Sequence, residues 1–133
     1  MSTAYRLLLP TAALLLAACT HQPQTSVSVQ EKQLGKCPME LSMGQTLVIT
    51  LPSNPTTGFR WRVADAAPGV LRSLGPEVYT TPEDAGLVGS AGQSTWRYQA
   101  QLSGNGRLLM HYQRPWEVDV APAKTIDCQI EVN

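Results

Sequence analysis

Apolar and polar side chains alternate along Trp96-Arg97-Tyr98-Gln99-Ala100-Gln101-Leu102. Successive side chains of a strand point to opposite faces, so a period of two predicts a strand with one face in a core. The alternation recurs in five other stretches, with apolar members Cys37, Met39, Leu41 and Met43; Leu47, Ile49 and Leu51; Phe59, Trp61 and Val63; Leu108, Met110 and Tyr112; and Ile126, Cys128, Ile130 and Val132. Short strands are also expected within 70–74 and 77–80. About seven short strands, separated by Gly and Pro, predict an all-β sandwich.

Length and charge restrict the class of protein. The chain has 133 residues, ten basic against ten acidic, and only 15% of its residues are charged. Binding to nucleic acid draws on phosphate neutralisation by clustered Lys and Arg, which this composition does not supply. The length fits one domain with a single core and leaves little room for a catalytic site between two lobes.

The first residues are typical of an export signal. Residues 1–18 carry one charge, Arg6, and an apolar stretch from Leu7 to Ala17 that is too short to span a bilayer. The ending Leu16-Ala17-Ala18-Cys19 resembles the bacterial lipobox, which implies cleavage before Cys19 and lipidation of its thiol. The alternative is an ordinary cleavage site that happens to precede a cysteine. Thr20, where an inner-membrane retention signal has Asp, favours the outer membrane of a bacterial cell envelope, on its periplasmic or surface face.

The remainder divides into two parts. Residues 19–36 are polar and poor in large apolar groups, so they are predicted to be a flexible tether. Residues 37–133 form the domain. Its two cysteines, Cys37 and Cys128, both lie on apolar strand faces, and export favours a disulfide between them over two buried free thiols.

Three loops are candidates for function. Ser103-Gly104-Asn105-Gly106 predicts a tight turn, so that 93–102 and 107–113 would form an antiparallel hairpin. The connections 81–92 and 114–123 would then leave the sandwich at the same end. The third loop lies between Leu51 and Trp61. There Pro55 and Gly58 stiffen a tip of small Thr side chains, either a narrow projection suited to a cleft or only a well-made turn.

These three loops resemble those of the chagasin family, protein inhibitors of papain-like cysteine peptidases. The matching residues, in order along the chain, are Asn54, Pro55, Thr56, Thr57, Gly58 and Phe59; Gly89, Ser90, Ala91 and Gly92; and Arg114, Pro115 and Trp116. The resemblance extends from about Leu41 to Val132 and implies an immunoglobulin-like β-sandwich. It implies that 54–58 enters the active-site cleft of the peptidase, flanked by 86–92 and 114–117. Ala91 departs from the family, which usually has glycine there.

The resemblance also assigns roles to single residues. Trp116 would be an aromatic anchor and Arg114 a source of polar or stacking contacts; otherwise they are a core Trp and a solvated Arg. The expected partner is a papain-like cysteine peptidase, bound by a monomer that reaches the membrane through its lipid. Four loop carboxylates are expected to be merely solvated: Glu83, Asp84, Glu117 and Asp119.

Enzymatic activity is not expected. The predicted modifications leave no free cysteine to act as a nucleophile with His111. His21 lies in the tether, and without CxxC or HxxxH spacing neither a metal site nor a cofactor is predicted. The alternative function is a non-inhibitory envelope lipoprotein with a structural or glycan-binding role. Trp61 and Trp96 are expected in the core, so only Trp116 would be available to stack on a sugar.

Overall fold

The computed structural model describes residues 19, 25–85 and 91–133. They form two β-sheets packed face to face, an immunoglobulin-like sandwich as predicted. The elements in chain order are β1 Ser26–Val29, α1 Glu31–Leu34, β2 Met39–Leu41, β3 Thr46–Ser53, a 3₁₀ turn Pro55–Thr57, β4 Arg60–Ala66, β5 Leu71–Ser73, β6 Val78–Thr80, β7 Gly92–Ala100, β8 Gly104–Gln113 and β9 Lys124–Val132. No helix in these described ranges is long and apolar enough to cross a membrane.

The strands run between two ends of the sandwich. One sheet has the order β1-β3-β7-β5, with β6 also paired to β7, and the other has the order β2-β9-β8-β4. We call the end where β3 ends and β4 begins the loop end. The opposite end is called the base, and it is made by the connections 42–45, 67–70 and 101–103.

The core lies between the sheets and follows the predicted alternation. Leu47, Ile49 and Leu51 of β3 are fully buried, as are Leu108 and Met110 of β8 and Cys128 and Ile130 of β9. Both Trp61 and Trp96 are buried, as predicted. Two residues expected on apolar faces are instead exposed, because β2 ends at Leu41 and β7 ends at Ala100. These residues, Met43 and Leu102, lie in the turns of the base.

The prediction that 93–102 and 107–113 form a hairpin is wrong. β7 pairs with β3, β5 and β6, whereas β8 pairs with β4 and β9 in the other sheet. Asn105 and Gly106 belong to β8 and pair with Glu131 and Ile130 of β9. Because β7 and β8 still run in opposite directions across the core, the deduction that 81–92 and 114–123 share an end survives the error.

The prediction of a flexible tether is wrong for residues 25–36. Ser26–Val29 pairs in parallel with β3, and α1 follows it directly. Val29 and Leu34 are buried and join the core. These two contacts and the backbone pairing to β3 hold a segment whose overall composition is polar. The described strands therefore number nine, rather than about seven.

The disulfide between Cys37 and Cys128 is confirmed. Their Cα atoms are 5.3 Å apart, and the bond joins residues 91 positions apart in the sequence. Cys128 is fully buried in β9, and β2, which follows Cys37, pairs in parallel with the same strand. The bond therefore fastens the N-terminal part of the domain to its last strand.

Candidate functional site

Strand pairing brings the loops together at the loop end. Ser53, the last residue of β3, pairs with Gly92, the first of β7. In the other sheet Arg60, the first residue of β4, pairs with Gln113, the last of β8. The loop 54–59 thus emerges beside residue 91 on one side and residue 114 on the other, which confirms the implied convergence.

The turn at 54–58 is held by its own hydrogen bonds. The Thr57 N–H donates to the Asn54 carbonyl at 3.2 Å, and the Thr57 hydroxyl donates to the same oxygen at 2.7 Å. The Gly58 N–H donates to the Pro55 carbonyl at 3.0 Å. Gly58 ends the turn with φ +83°, a conformation that L side chains rarely adopt. Thr56 and Thr57 are exposed, so the tip presents small side chains on a fixed backbone.

An aromatic stack supports the turn from below. The Tyr112 ring lies 5.2 Å from the Phe59 ring and 4.9 Å from that of the buried Trp61, measured between centroids. The Tyr112 hydroxyl accepts a hydrogen bond from the Asn54 N–H at 3.2 Å. Trp61 donates through Nε1 to the Pro52 carbonyl at 3.0 Å. Both sides of the turn are therefore connected to the core.

Arg114 links two of the loops. Its Nε donates to the Thr57 carbonyl at 3.1 Å, and its Nη1 bonds to Glu117 Oε1 at 3.0 Å. The guanidinium carbon lies 4.5 Å from the centre of the Phe59 ring, in cation–π geometry. Arg114 is therefore not merely solvated, and Glu117 is paired rather than free. Sequence reasoning missed Glu117, although its position three residues after Arg114 suits a pair within one turn.

Trp116 forms the second link. A Cβ placed on Gly58 would lie 3.1 Å from Cζ2 and 3.2 Å from Cζ3 of the Trp116 ring, and it would collide with Cη2. The indole therefore lies directly against the glycine, yet 66% of Trp116 remains exposed. The neighbouring Val118 and Val120 are exposed too. This combination of a fixed position and a large open apolar surface excludes the core interpretation of Trp116.

The Gly-rich flank is described only in part. Gly89 and Ser90 fall outside the described residues, as does most of the predicted 86–92 loop. Ala91 is half-exposed at the loop end, whereas Gly92 is buried in β7. A Cβ on Gly92 would collide with the Thr80 carbonyl and with the ring of Tyr79. Gly92 thus allows β6 to pack closely against β7 and offers no contact surface itself.

Among the described residues, the candidates for catalysis or metal binding do not lie in this site. His111 lies on β8, where Nδ1 is 3.4 Å from Arg62 Nη2. In the part of the chain that the structure describes, no group of three or more His, Cys, Asp or Glu residues is placed to hold a metal ion. The described part of the loop end is thus an assembly of turns, aromatic rings and the Arg114–Glu117 ion pair, which is suited to binding a surface.

The three contacts of Arg114 lead to a prediction. In Arg114→Lys, one ammonium group cannot reach the Thr57 carbonyl and Glu117 while also covering the Phe59 ring, because it lacks the guanidinium fork. If the loop end is the binding surface, we expect the dissociation constant for a peptidase target to rise about fivefold, or about 1 kcal/mol. Titration of the peptidase with each variant measures this dissociation constant. Arg97→Lys on β7 is the control, and equal effects of the two changes would contradict a specific role for Arg114.

Comparison with known proteins identifies the family. Residues 40–130 match the family model described as "Chagasin family peptidase inhibitor I42". Chagasin of Trypanosoma cruzi is 30% identical over 83 residues, which cover 59% of this chain and 73% of that protein. Amoebiasin-1 of Entamoeba histolytica is 29% identical over 76 residues, covering 57% of this chain and 72% of the relative.

Solved structures agree on the fold. The cysteine protease inhibitor EhICP2 of Entamoeba histolytica superposes with a TM-score of 0.67 at 16% identity, covering 81% of this chain and 95% of that chain. The solution structure of Amebosin gives 0.58 at 25% identity, covering 84% and 100%. PbICP-C, solved in complex with falcipain-2, gives 0.51 at 16% identity, covering 83% and 91%. With its sandwich and the match over residues 40–130, the chain belongs to the chagasin family of peptidase inhibitors.

Proposed function

We propose that the chain is a reversible inhibitor of papain-like cysteine peptidases. The turn 54–58 enters the active-site cleft, while 114–117 and the loop 86–92 dock on its two sides. Membership of the inhibitor family and the narrow, exposed Thr56–Thr57 tip support this assignment. The chain then acts by binding and not as an enzyme, and it needs neither metal nor cofactor.

The observation that carries the proposal is that carbonyl groups of the turn accept hydrogen bonds from within the protein. The carbonyl oxygens of Asn54, Pro55 and Thr57 each accept a hydrogen bond from within the protein. A cysteine thiolate cleaves a peptide only when the carbonyl is aligned for attack and its oxygen can enter an oxyanion hole. Because three carbonyls of the turn already have partners, the turn offers fewer peptide bonds for attack when it fills the cleft, and so it resists cleavage.

Rigidity adds affinity. Binding loses less conformational entropy when the inserted loop already has its bound shape. Here the turn is held from below by Tyr112 and from the side by Arg114 and Trp116. The exposed ring of Trp116 supplies a large apolar contact of the kind that dominates interface energies. The site thus combines a preformed wedge with a neighbouring anchor.

The direct test is titration of the chain starting at Cys19 against papain and a cathepsin L-type enzyme. All core residues and both cysteines of the disulfide lie between residues 29 and 132, so this chain contains the whole sandwich. We expect activity to fall in proportion to added inhibitor and to return after dilution, with the inhibitor recovered intact by mass. Trypsin is the control and should be unaffected. Unchanged papain activity, or cleavage within 54–58, would exclude the proposal, and retention on peptidoglycan or glycan beads would then favour the lipoprotein alternative.

A substitution at the tip tests the wedge itself. Thr56→Arg places a long charged side chain where the tip must enter a narrow cleft. We expect the inhibition constant to rise at least about tenfold, or about 1.4 kcal/mol. Thermal stability should change by no more than about 0.5 kcal/mol because Thr56 is exposed. Ser103→Arg at the exposed base is the matched control. If both variants inhibit like the parent, residues 54–58 do not enter the cleft.

We further propose that the mature protein begins at a lipidated Cys19 and is held at the bacterial outer membrane. The lipobox-like Leu16-Ala17-Ala18-Cys19 supports this, and Cys19 is the one cysteine of three outside the disulfide. Intact mass of the protein purified from membranes should show a diacylglyceryl group and an N-acyl chain on Cys19. A processed chain with an unmodified Cys19, or one that begins elsewhere, would contradict the assignment.

A further inference from the structure

We propose that the base of the sandwich rests on the lipid surface, so that the inhibitory loops point away from the membrane. The base then has a phospholipid headgroup layer as its partner. This inference rests on the proposed lipid anchor at Cys19. It deepens the proposed function because it specifies on which side of the anchored protein a peptidase is met.

The path of the chain fixes where the anchor is attached. β1 is parallel to β3, with Ser26 opposite Thr46 and Val29 opposite Ile49. The Thr46 N–H donates to the Thr25 carbonyl at 2.9 Å. Because β3 runs from the base toward the loop end, the described chain enters the sandwich at the base. The lipid is therefore attached at the end opposite the inhibitory turn.

Chain length restricts the orientation. Six residue steps separate Cys19 from Thr25, and a fully extended chain covers at most about 3.4 Å per residue, or about 20 Å in all. The eight residues of β3 span about 25 Å from the base to the loop end. The connection is thus shorter than the sandwich itself. The loop end cannot turn to face the membrane while Cys19 stays in it.

The surface of the base suits contact with lipid. Met43 is 57% exposed and Leu102 is 56% exposed. Their turns are joined where the Gly44 N–H donates to the Ala100 carbonyl at 2.8 Å. None of residues 42–45, 67–70 and 101–103 is charged. Apolar side chains on such a surface can enter the headgroup boundary without burying an ion, and charged ones cannot.

The loop end differs in charge. Its connection from β8 to β9 includes Arg114, Glu117 and Asp119. With the base on the membrane, this end stands about 25 Å from the lipid surface by the length of β3. It then faces the aqueous compartment. The target is accordingly a peptidase free in that compartment, and one bound to the same lipid surface would meet the side of the sandwich instead.

Hydroxyl-radical footprinting can test the orientation. The acylated chain, purified from membranes, is placed in vesicles of phosphatidylethanolamine and phosphatidylglycerol and compared with the soluble chain starting at Cys19. We expect oxidation of Met43 and Leu102 to slow at least about twofold in vesicles, since contact with the headgroups shields them. Trp116 and Val120 at the loop end should be unchanged. Val78 on the sheet wall, 55% exposed, is the matched control and should also be unchanged.

The outcomes separate this inference from the proposed function. A smaller slowing at Met43 or Leu102, or protection of Trp116 or Val120, overturns the orientation. A membrane-purified chain whose mass shows no acyl group at Cys19 removes its basis and overturns it too. Inhibition of papain by the soluble chain reports the proposed function independently. If the orientation is right, the vesicle-bound chain inhibits soluble papain within about twofold of the soluble chain, since the loops remain open to solvent.

A charged variant identifies the contact. Met43→Glu puts a carboxylate at the base, where anionic lipid disfavours it, so Leu102 should lose its protection in the vesicles. Val78→Glu makes an equivalent change at matched exposure on the wall and should leave Leu102 protected. Leu102 protection that survives Met43→Glu, or that is lost equally in Val78→Glu, means that the base does not touch the lipid surface.

Discussion

Replacing Gly58 by alanine is expected to raise the inhibition constant for papain at least about thirtyfold, or about 2 kcal/mol, the loss typical of an anchor residue. A Cβ at this position collides with the Trp116 ring, so the indole must leave its place. Gly58 also has φ +83°, where alanine is strained, so the turn itself resists the change. One methyl group therefore disturbs both the turn and the Trp116 ring that lies against it. Titration of papain activity measures the effect.

Gly44 provides a matched control. It has φ +86°, nearly the same as Gly58, but it lies at the base and a Cβ there meets nothing within 4 Å. Gly44→Ala should therefore lose about 1 to 2 kcal/mol of stability from backbone strain, as Gly58→Ala does, while inhibiting like the parent. If the two variants weaken inhibition equally, the effect comes from lost stability and the contact between Trp116 and Gly58 has no role in binding.

Much of the fold could be predicted because alternation reports directly which side of a strand is buried. The alternation predicts that Leu47, Ile49 and Leu51 lie in the core, and they are buried. Alternation does not report which strand is the neighbour. The turn-like Asn105 and Gly106 therefore suggested a hairpin, although Gly106 lies within β8. A Cβ on Gly106 would collide with Ala67 and Val70, so glycine is needed there for close packing and not for a turn.

The N-terminal segment shows a second limit. Composition averages over a stretch, and the polar residues of 19–36 outweigh its few apolar ones. A short edge strand needs little apolar area, because its backbone groups gain partners from the neighbouring strand. Here Val29 and Leu34 supply the buried surface and β3 supplies the hydrogen bonds. The placement of β1, which fixes where the described chain enters the sandwich, could be obtained only from the structure.

The candidate site was predicted as a set of loops but not as a connected unit. Motif resemblance selected Arg114, Trp116 and the turn 54–58, and topology placed two of the three loops at one end. The contacts among them depend on side-chain geometry that no spacing reports. The alternation predicts only that Tyr112 lies on a strand face, yet its hydroxyl accepts a hydrogen bond from the Asn54 N–H. Glu117, expected to be solvated, holds the guanidinium that reaches the Thr57 carbonyl.

These contacts separate binding from stability within one small domain. Thr56, Arg114 and Trp116 lie outside the core, so changes there should alter affinity more than folding. The Cys37–Cys128 bond is expected to affect folding more than affinity. Cys128 is fully buried and lies four positions along β9 from Lys124 at the loop end. Removing the bond should therefore affect the free energy of unfolding and leave the loops in place.

The double variant Cys37→Ala/Cys128→Ala is expected to lose about 4 kcal/mol in the free energy of unfolding. The bond joins residues 91 positions apart and so restricts a large part of the unfolded chain. Denaturant titration of the oxidised parent and the variant measures the difference. At a temperature where the variant is still folded, its inhibition constant should stay within about twofold of the parent, because the loop contacts do not involve either cysteine. The control is Cys19→Ser in the soluble chain, which removes a cysteine but no bond and should leave unfolding unchanged. A loss of less than about 1 kcal/mol in the double variant would mean that the bond constrains little of the unfolded chain. A large loss of inhibition by the folded double variant would mean that the disulfide also positions the loops.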